Sequence, residues 1–255
     1  MIIHERKMRM KTIRCLSVLL ALCLWAGAAA GAEETAAEAF RTVGGYVTFG
    51  TYPQEADGSD STPIEWLVLA YDEAGHRALL LSRYALDARP YHAEFIDMTW
   101  EKCSLRAWMN EEFYHRAFSE AEQALILVTE VDNSNKQRYS GWSYSGGADT
   151  EDRVFLLSYR EAKNYLGVRS NVVEGAVQNK RSRVVPTAYA LSRGAYASKY
   201  NLSEDGRQAG WWWLRQPGVN QHYAAAVNTD GSLYNYYVHR GYGCVRPALW
   251  ISVPE

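Results

Sequence analysis

Few side chains in this sequence have the spacing that catalysis requires. The five histidines after residue 70 do not fall at the intervals that zinc ligands use. Segment 141–145, Gly-Trp-Ser-Tyr-Ser, lacks the final glycine of a nucleophile elbow and lies in a polar stretch rather than between a strand and a helix. The sequence therefore contains no recognisable catalytic motif, which favours a binding protein over an enzyme.

The segment from Gly210 to Glu255 has the composition of a recognition surface. Two apolar ends, beginning at Trp211 and at Cys244, bracket a middle rich in tyrosine, histidine and asparagine from Val219 to Gly243. Aromatic rings supply contact area at low entropic cost, and amides supply adaptable hydrogen bonds. We therefore predict ligand binding here. The candidate binding residues are Trp212, Asn220, His222, Tyr223, Asn228, Tyr234, Asn235, Tyr236, Tyr237, His239 and Tyr242.

Residues 1–32 have the pattern of a secretory signal peptide. A basic stretch precedes an apolar run from Leu16 to Trp25, and Ala30-Gly31-Ala32 resembles a cleavage site. The apolar run is short for a permanent membrane span. We expect a signal peptide over 1–32, an N-terminal lead over 33–45, a single domain over 46–255, and a secreted or cell-envelope protein with no membrane span after signal removal.

The charge balance argues against nucleic acid as a partner. Segment 1–32 contains five of the 27 basic residues and one of the 29 acidic residues, so the remaining chain has 22 basic and 28 acidic residues. Nucleic-acid binding needs clustered lysine and arginine to neutralise phosphates. A protein or a glycan is the expected ligand.

Cys103 and Cys244 are the two cysteines outside segment 1–32. In an exported protein, two cysteines are a disulfide candidate. The alternative is a pair of buried free thiols that pack as small apolar side chains. The sequence does not reveal whether the two Cα atoms are close enough to be bridged.

The elements that hold these residues are predicted as strands at both ends of the domain and helices between them. Tyr46–Tyr52 has strand alternation, and the runs 64–70 and 77–82 predict a hairpin. Residues 223–227 and 233–238 predict a second hairpin around an Asp-Gly turn. Further strands are expected at 128–131, 154–157, 211–214 and 245–253.

Helices are expected in the middle of the chain. Residues 100–114 have apolar side chains at helical spacing, and Pro186-Thr187 leads a helix through about Ser198. Two capping boxes, Ser119 with Glu122 and Ser158 with Glu161, start two more helices. Strands, then helices, then strands predict an α+β class.

Six short motifs occur in a characteristic order along the chain. The motifs are 63–66 (Pro-Ile-Glu-Trp), 80–82 (Leu-Leu-Ser), 104–106 (Ser-Leu-Arg) with Trp108 and Asn110, 154–158 (Val-Phe-Leu-Leu-Ser), 212–215 (Trp-Trp-Leu-Arg) and 245–250 (Val-Arg-Pro-Ala-Leu-Trp). Together they resemble a largely uncharacterised family of exported bacterial domains, which is similar to an outlying branch of the C-type-lectin-like superfamily. The resemblance covers Tyr46 to Ile251, and implies a mixed fold with short, mostly antiparallel sheets, two or more helices, long loops, and N- and C-terminal strands that lie together.

Within this resemblance, we expect Arg106, Arg215 and Arg246 to stabilise the fold rather than contact a ligand. Strand alternation would turn Trp212 away from its two tryptophan neighbours, so we expect at least one exposed indole.

The resemblance does not extend to the calcium motif of sugar-binding lectins. The segment 216–218, Gln-Pro-Gly, lacks the final oxygen ligand, and no Trp-Asn-Asp sequence follows. Calcium takes six to eight oxygen donors. We expect no cofactor, although Asn228, Asp230 and Asn235 are candidates for a weaker calcium site.

Three other functions remain open. Formylglycine-generating enzymes of the same superfamily use two cysteines close together, whereas Cys103 and Cys244 are far apart in the sequence. Variable proteins of diversity-generating retroelements also belong there, and the Asn, His, Tyr and Asp residues of 220–242 have codons that differ only at the first base. The ordinary composition of hairpin loops is the favoured explanation for these residues. A structural envelope domain without a small ligand is the third alternative.

Overall fold

The computed structural model describes residues 37–170 and 180–254. The predicted signal peptide over 1–32 lies outside the described residues. Residues 37–41 are helical and lead towards the first strand. In the described part of the chain, no helix has the length and apolar character needed to cross a membrane.

Short strands dominate the structure, and both predicted hairpins are present. The hairpin between residues 223 and 238 closes at Gly231, whose positive φ of 87° suits the Asp-Gly turn. In chain order, the strands are β1 (Tyr46–Tyr52), β2 (Thr62–Asp72), β3 (Arg77–Ser82), β4 (Asp87–Ala88), β5 (Thr129–Val131), β6 (Thr150–Asp152), β7 (Ala197–Leu202), β8 (Gln208–Gly210), β9 (Trp212–Pro217), β10 (Tyr223–Val227), β11 (Leu233–Tyr237), β12 (Cys244–Val245) and β13 (Ala248–Ser252).

The helices are few and short. Both predicted capping boxes are present, at Ser119–Glu122 and Ser158–Glu161, and each starts a helix. The α-helices are α1 (Ser104–Trp108), α2 (Tyr114–Ala117), α3 (Glu120–Gln123), α4 (Tyr159–Leu166) and α5 (Ala188–Ser192); Trp100–Lys102 and Lys180–Ser182 are 3₁₀ turns, and Met109–Phe113 is a π turn.

The strands form two main sheets. The first has the order β1-β2-β3-β13 and is antiparallel throughout, so the last strand lies in the same sheet as the first three. The second has the order β11-β10-β9-β12-β4, in which only the β12–β9 pair is parallel. Two further pairs, β5–β6 and β7–β8, are antiparallel. This arrangement confirms the predicted α+β class.

Three local predictions are wrong in extent. Residues 154–157 are buried but form no strand, and Phe155 makes only an isolated bridge to Ala248. The helix expected through Ser198 ends at Ser192, because Gly194 turns the chain with a φ of +100° and β7 follows. The helix expected over 100–114 is divided into 3₁₀, α and π turns.

Two arginines hold carboxylates within the core, as expected. Arg106 donates to Asp152 at 2.6 Å, and Arg215 forms a two-pronged ion pair with Glu161. Burial raises the pKa of Glu161, but the Arg215 guanidinium lowers it further, so the net pKa lies below the ordinary value. The third arginine, Arg246, donates to the last carbonyl of β3 at 2.9 Å. These contacts support the structural role predicted for Arg106 and Arg215, whereas Arg246 has only this backbone partner among the described residues.

The disulfide expectation is wrong for this structure, which holds Cys103 and Cys244 as free, buried thiols. The sulfur of Cys103 accepts the Arg106 backbone N–H at 3.3 Å at the start of α1, whereas the sulfur of Cys244 packs against Gly210. Burial raises the pKa of each thiol to about 12, so both stay protonated at neutral pH.

We predict that neither thiol reacts with iodoacetamide at pH 8 in the folded protein, because each is buried and protonated. Alkylation without reductant, followed by peptide mass spectrometry, should label Cys103 and Cys244 only after guanidinium unfolding. A peptide pair that remains linked after unfolding, and is released only by reductant, would contradict the free-thiol assignment.

Candidate functional site

All three tryptophans at the start of β9 are buried, which corrects the expectation of an exposed indole. Trp211 and Trp213 lie on one face of the sheet, with ring centroids 4.7 Å apart, and Trp212 lies on the other, as alternation predicts. Both faces are covered, so Trp212 is fully buried and donates its Nε1 hydrogen to the Ser182 carbonyl at 2.9 Å. Trp212 is therefore a core residue and not a ligand-binding one.

Five aromatic rings, two exposed and three half-buried, lie together at the open end of the β10–β11 hairpin. We call Phe95, His222, Tyr223, Tyr237 and His239 the aromatic patch. Phe95 is 54% exposed and meets the rings of His222, Tyr237 and His239 edge-on, at centroid distances of 5.1, 5.1 and 5.0 Å. Tyr223 and Tyr237 are directly paired across the two strands, with ring centroids 4.2 Å apart. Five rings from two distant chain segments thus form one surface.

Backbone hydrogen bonds hold Phe95 beside the hairpin. The loop that contains it is tied at both ends: the His92 N–H donates to the Val238 carbonyl, and the Met98 N–H donates to the Gln221 carbonyl, each at 2.9 Å. The Gln221 side-chain amide also donates a hydrogen bond to the Met98 carbonyl at 2.9 Å. The loop and the hairpin therefore position the patch as one unit, which lowers the entropy lost on binding.

Polar groups around the patch add hydrogen-bonding capacity. Asp97 lies 3.3 Å from the His222 Nδ1 atom, and the Arg240 guanidinium lies 5.6 Å from the Tyr237 ring centroid. Hydrogen bonding with Tyr237 raises the pKa of Tyr223, so the Tyr223 phenol remains neutral near pH 7. Hydroxyls, one carboxylate and one guanidinium give the patch both donors and acceptors.

A second group of tyrosines lies on the opposite face of β11, and we call Tyr234, Tyr236 and Tyr242 the tyrosine cluster. Tyr236 stacks on Trp211 at a centroid distance of 3.9 Å, and Tyr242 meets the same indole edge-on at 5.7 Å. Tyr234 extends outward and is 49% exposed. Burial raises the pKa of Tyr236. Tyr236 thus covers the core, while Tyr234 and Tyr242 lie beside it at the surface.

The predicted asparagines brace the loops. The Asn228 side-chain oxygen accepts from the Tyr236 hydroxyl at 3.2 Å, and that of Asn235 accepts from the Val219 N–H at 3.4 Å. The Asn220 carbonyl accepts the Tyr223 N–H at 3.0 Å. These contacts shape the loops that carry the rings.

The residues suggested for a weak calcium site already have donors on their oxygens. The Asp230 carboxylate accepts from the Ser232 N–H at 2.9 Å, and the Asn228 and Asn235 oxygens accept the bonds described above. Within residues 37–170 and 180–254, no cluster of three or more His, Cys, Asp or Glu side chains could hold a metal ion.

Sequence reasoning missed Phe95, which lies in a segment without periodicity. Its only local signal is that an aromatic and an isoleucine stand between acidic residues, in Glu94-Phe-Ile-Asp97. Phe95 and Ile96 are both exposed. Nothing local connects this segment to a hairpin more than 120 residues later.

The fold and the aromatic patch together define an α+β domain with a preorganised aromatic surface. A family model described as "Domain of unknown function (DUF6273)" matches residues 75–253, so the chain belongs to this family. The match begins after β1 and β2, later than the Tyr46 boundary of the expected resemblance. Comparison with curated proteins found no match, and neither did comparison with solved structures.

We predict that Tyr236→Ala lowers the free energy of unfolding by about 2 kcal/mol, because it uncovers Trp211 and removes a stacked pair. The matched control is Tyr234→Ala, on the same strand face but half exposed, which should change stability by no more than about 0.5 kcal/mol. Urea unfolding measures both. Equal losses in the two variants would show that Tyr236 is not part of the core.

Proposed function

We propose that this chain is an exported recognition module that binds a protein or a glycan through the aromatic patch. The observation that carries this proposal is a surface group of five rings, two exposed and three half-buried, built from a loop and a hairpin that hydrogen bonds hold together. Aromatic side chains dominate binding energy at protein interfaces, and their faces also stack on sugars. A secreted or cell-envelope location is part of the proposal and rests on the sequence pattern of residues 1–32.

We also propose that the fold is an outlying C-type-lectin-like fold. The sharing of one sheet by β1–β3 and β13 supports this, as do the short antiparallel strands and the long loops that carry the patch. Diversified residues, as in variable proteins, would then be expected on this loop surface, where Tyr223, Tyr237 and His239 lie.

The two thiols favour recognition over catalysis of the formylglycine-generating type. A reactive cysteine is a partly exposed thiol with a lowered pKa. Cys103 and Cys244 are both buried, and burial raises the pKa of each. The structure gives neither cysteine the environment of a nucleophile.

We expect the double variant Tyr223→Ala/Tyr237→Ala to weaken ligand capture roughly tenfold or more, because it removes two adjacent rings of the aromatic patch. The probes are a glycan array and a pull-down from cell-envelope extract, each with the purified protein. Tyr165→Ala/Tyr200→Ala is the matched control, since both residues are exposed but lie outside the patch. The control should capture ligand like the unmodified protein.

Two results would contradict the proposal. If both double variants capture equally well, the patch is not the binding surface. If the unmodified protein captures nothing from either probe, the chain is a structural envelope domain without such a ligand. Unchanged circular dichroism and melting temperature in the Tyr223/Tyr237 variant would separate lost binding from lost folding.

A further inference from the structure

A cleft of about 370 Å³ shares no lining residue with the aromatic patch. Its walls come from the first sheet, from the segment 180–185 that contains the second 3₁₀ turn, and from the loop after β7. This volume falls in the range of small-molecule binding sites. The lining side chains used below are Arg83, Tyr84, Lys180, Arg181, Arg183 and Arg246.

The cleft concentrates positive charge on a chain that is acidic overall. Five cationic side chains line it, against the two carboxylates of Glu204 and Asp205. Asp205 is already engaged, because it accepts from Ser203 and pairs with Arg207. Arg83 pairs with Glu65 at 3.2 Å, outside the lining. The lining therefore holds more cationic than acidic side chains.

Arg246 is the deepest of these cations. The side chain is 3% exposed, and its guanidinium lies 5.0 Å from the ring centroid of Trp212. Its Nε donates to the Ser82 carbonyl, but the buried Nη1 has no acceptor in the described part of the chain. Among residues 37–170 and 180–254, no carboxylate lies within ion-pair distance of it. Burial lowers the pKa of Arg246 to about 10, so it remains charged at pH 7.

A buried charge without a partner is unfavourable unless something compensates it. An anionic group could reach Arg246 through the cleft that this side chain lines. A guanidinium is suited to that task, because its fixed fork of N–H donors matches the two oxygens of a carboxylate or a phosphate.

The other cations are held in fixed positions or lie at the surface of the cleft. Arg183 donates to the Leu202 carbonyl at 2.7 Å and to the Asp230 carbonyl at 3.1 Å, so its guanidinium is anchored. Arg83 lies over the ring of Tyr84 at 5.1 Å. Lys180 and Arg181 are exposed, where they would attract an approaching anion.

We propose that this cleft binds a small ligand through an oxyanion group, a carboxylate or a phosphate. Arg246 supplies the buried charge, Arg83 and Arg183 form the preorganised wall, and Lys180 and Arg181 draw the anion in. This binding site is independent of the aromatic patch, so either proposal can fail without the other.

The test is isothermal titration of the purified protein with inorganic phosphate and, separately, with citrate, at constant ionic strength set by NaCl. We expect saturable binding in at least one arm, and the arm that binds assigns the ligand as a phosphate or a carboxylate. Titration is preferred to a melting shift, because phosphate stabilises most folded proteins by exclusion from their surfaces.

Lys180→Gln/Arg181→Gln should weaken anion binding at least tenfold without affecting the fold, because both residues are exposed. Lys136→Gln/Lys199→Gln is the matched control, since it removes the same charge from exposed positions that do not line the cleft. Its affinity should equal that of the unmodified protein. Arg246→Lys keeps the charge but removes the paired N–H donors of the guanidinium, and should also weaken binding at least tenfold.

Two outcomes would overturn the proposal. One is the absence of phosphate and citrate binding above the NaCl background. The other is an equal loss of affinity in both double variants, which would make the effect one of net charge and not of the cleft. If Arg246→Lys does not fold, the comparison of the two exposed pairs still decides the question.

Discussion

The complete burial of β9 on both faces is the constraint on which the rest of the structure depends. Trp211, immediately before β9, and Trp212 and Trp213 within it are all buried, so both faces of the second sheet must be covered at this strand. Tyr236 covers Trp211 on one face, and Arg246 lies over Trp212 on the other. Through these two contacts, the same strand supports the tyrosine cluster on one side and the cationic cleft on the other.

The C-terminal segment therefore divides into a framework and a surface. β9 and β12 are buried and β13 is largely buried. The chain passes directly from β12 in the second sheet to β13 in the first. The β10–β11 hairpin leaves this framework, and its open end carries the exposed rings together with Phe95. A rigid base with exposed aromatics at its margin is an arrangement suited to recognition, because little ordering is needed on binding.

Local rules predicted much of this architecture. The hairpins and both capping boxes follow from short sequence patterns, and so does the strand alternation of Trp211 to Trp213. These rules did not predict the burial of Trp212, because alternation assigns a side chain to a face but does not say what covers that face. The cleft was beyond them too, since Arg83, Arg183 and Arg246 are brought together only by the sheets. The same limit applies to Cys103 and Cys244, whose separation depends on tertiary packing.

Hydrogen exchange tests the division into framework and surface most directly. Amides of β9 and β13 should exchange slower than those of 218–222 and 238–243 by roughly two orders of magnitude or more, because the strands open only with the core. Mass spectrometry or NMR of the purified protein at neutral pH would resolve these segments. Exchange in Trp212–Pro217 as fast as in the flanking loops would contradict the account, since the three tryptophans would then not form the central support of the fold.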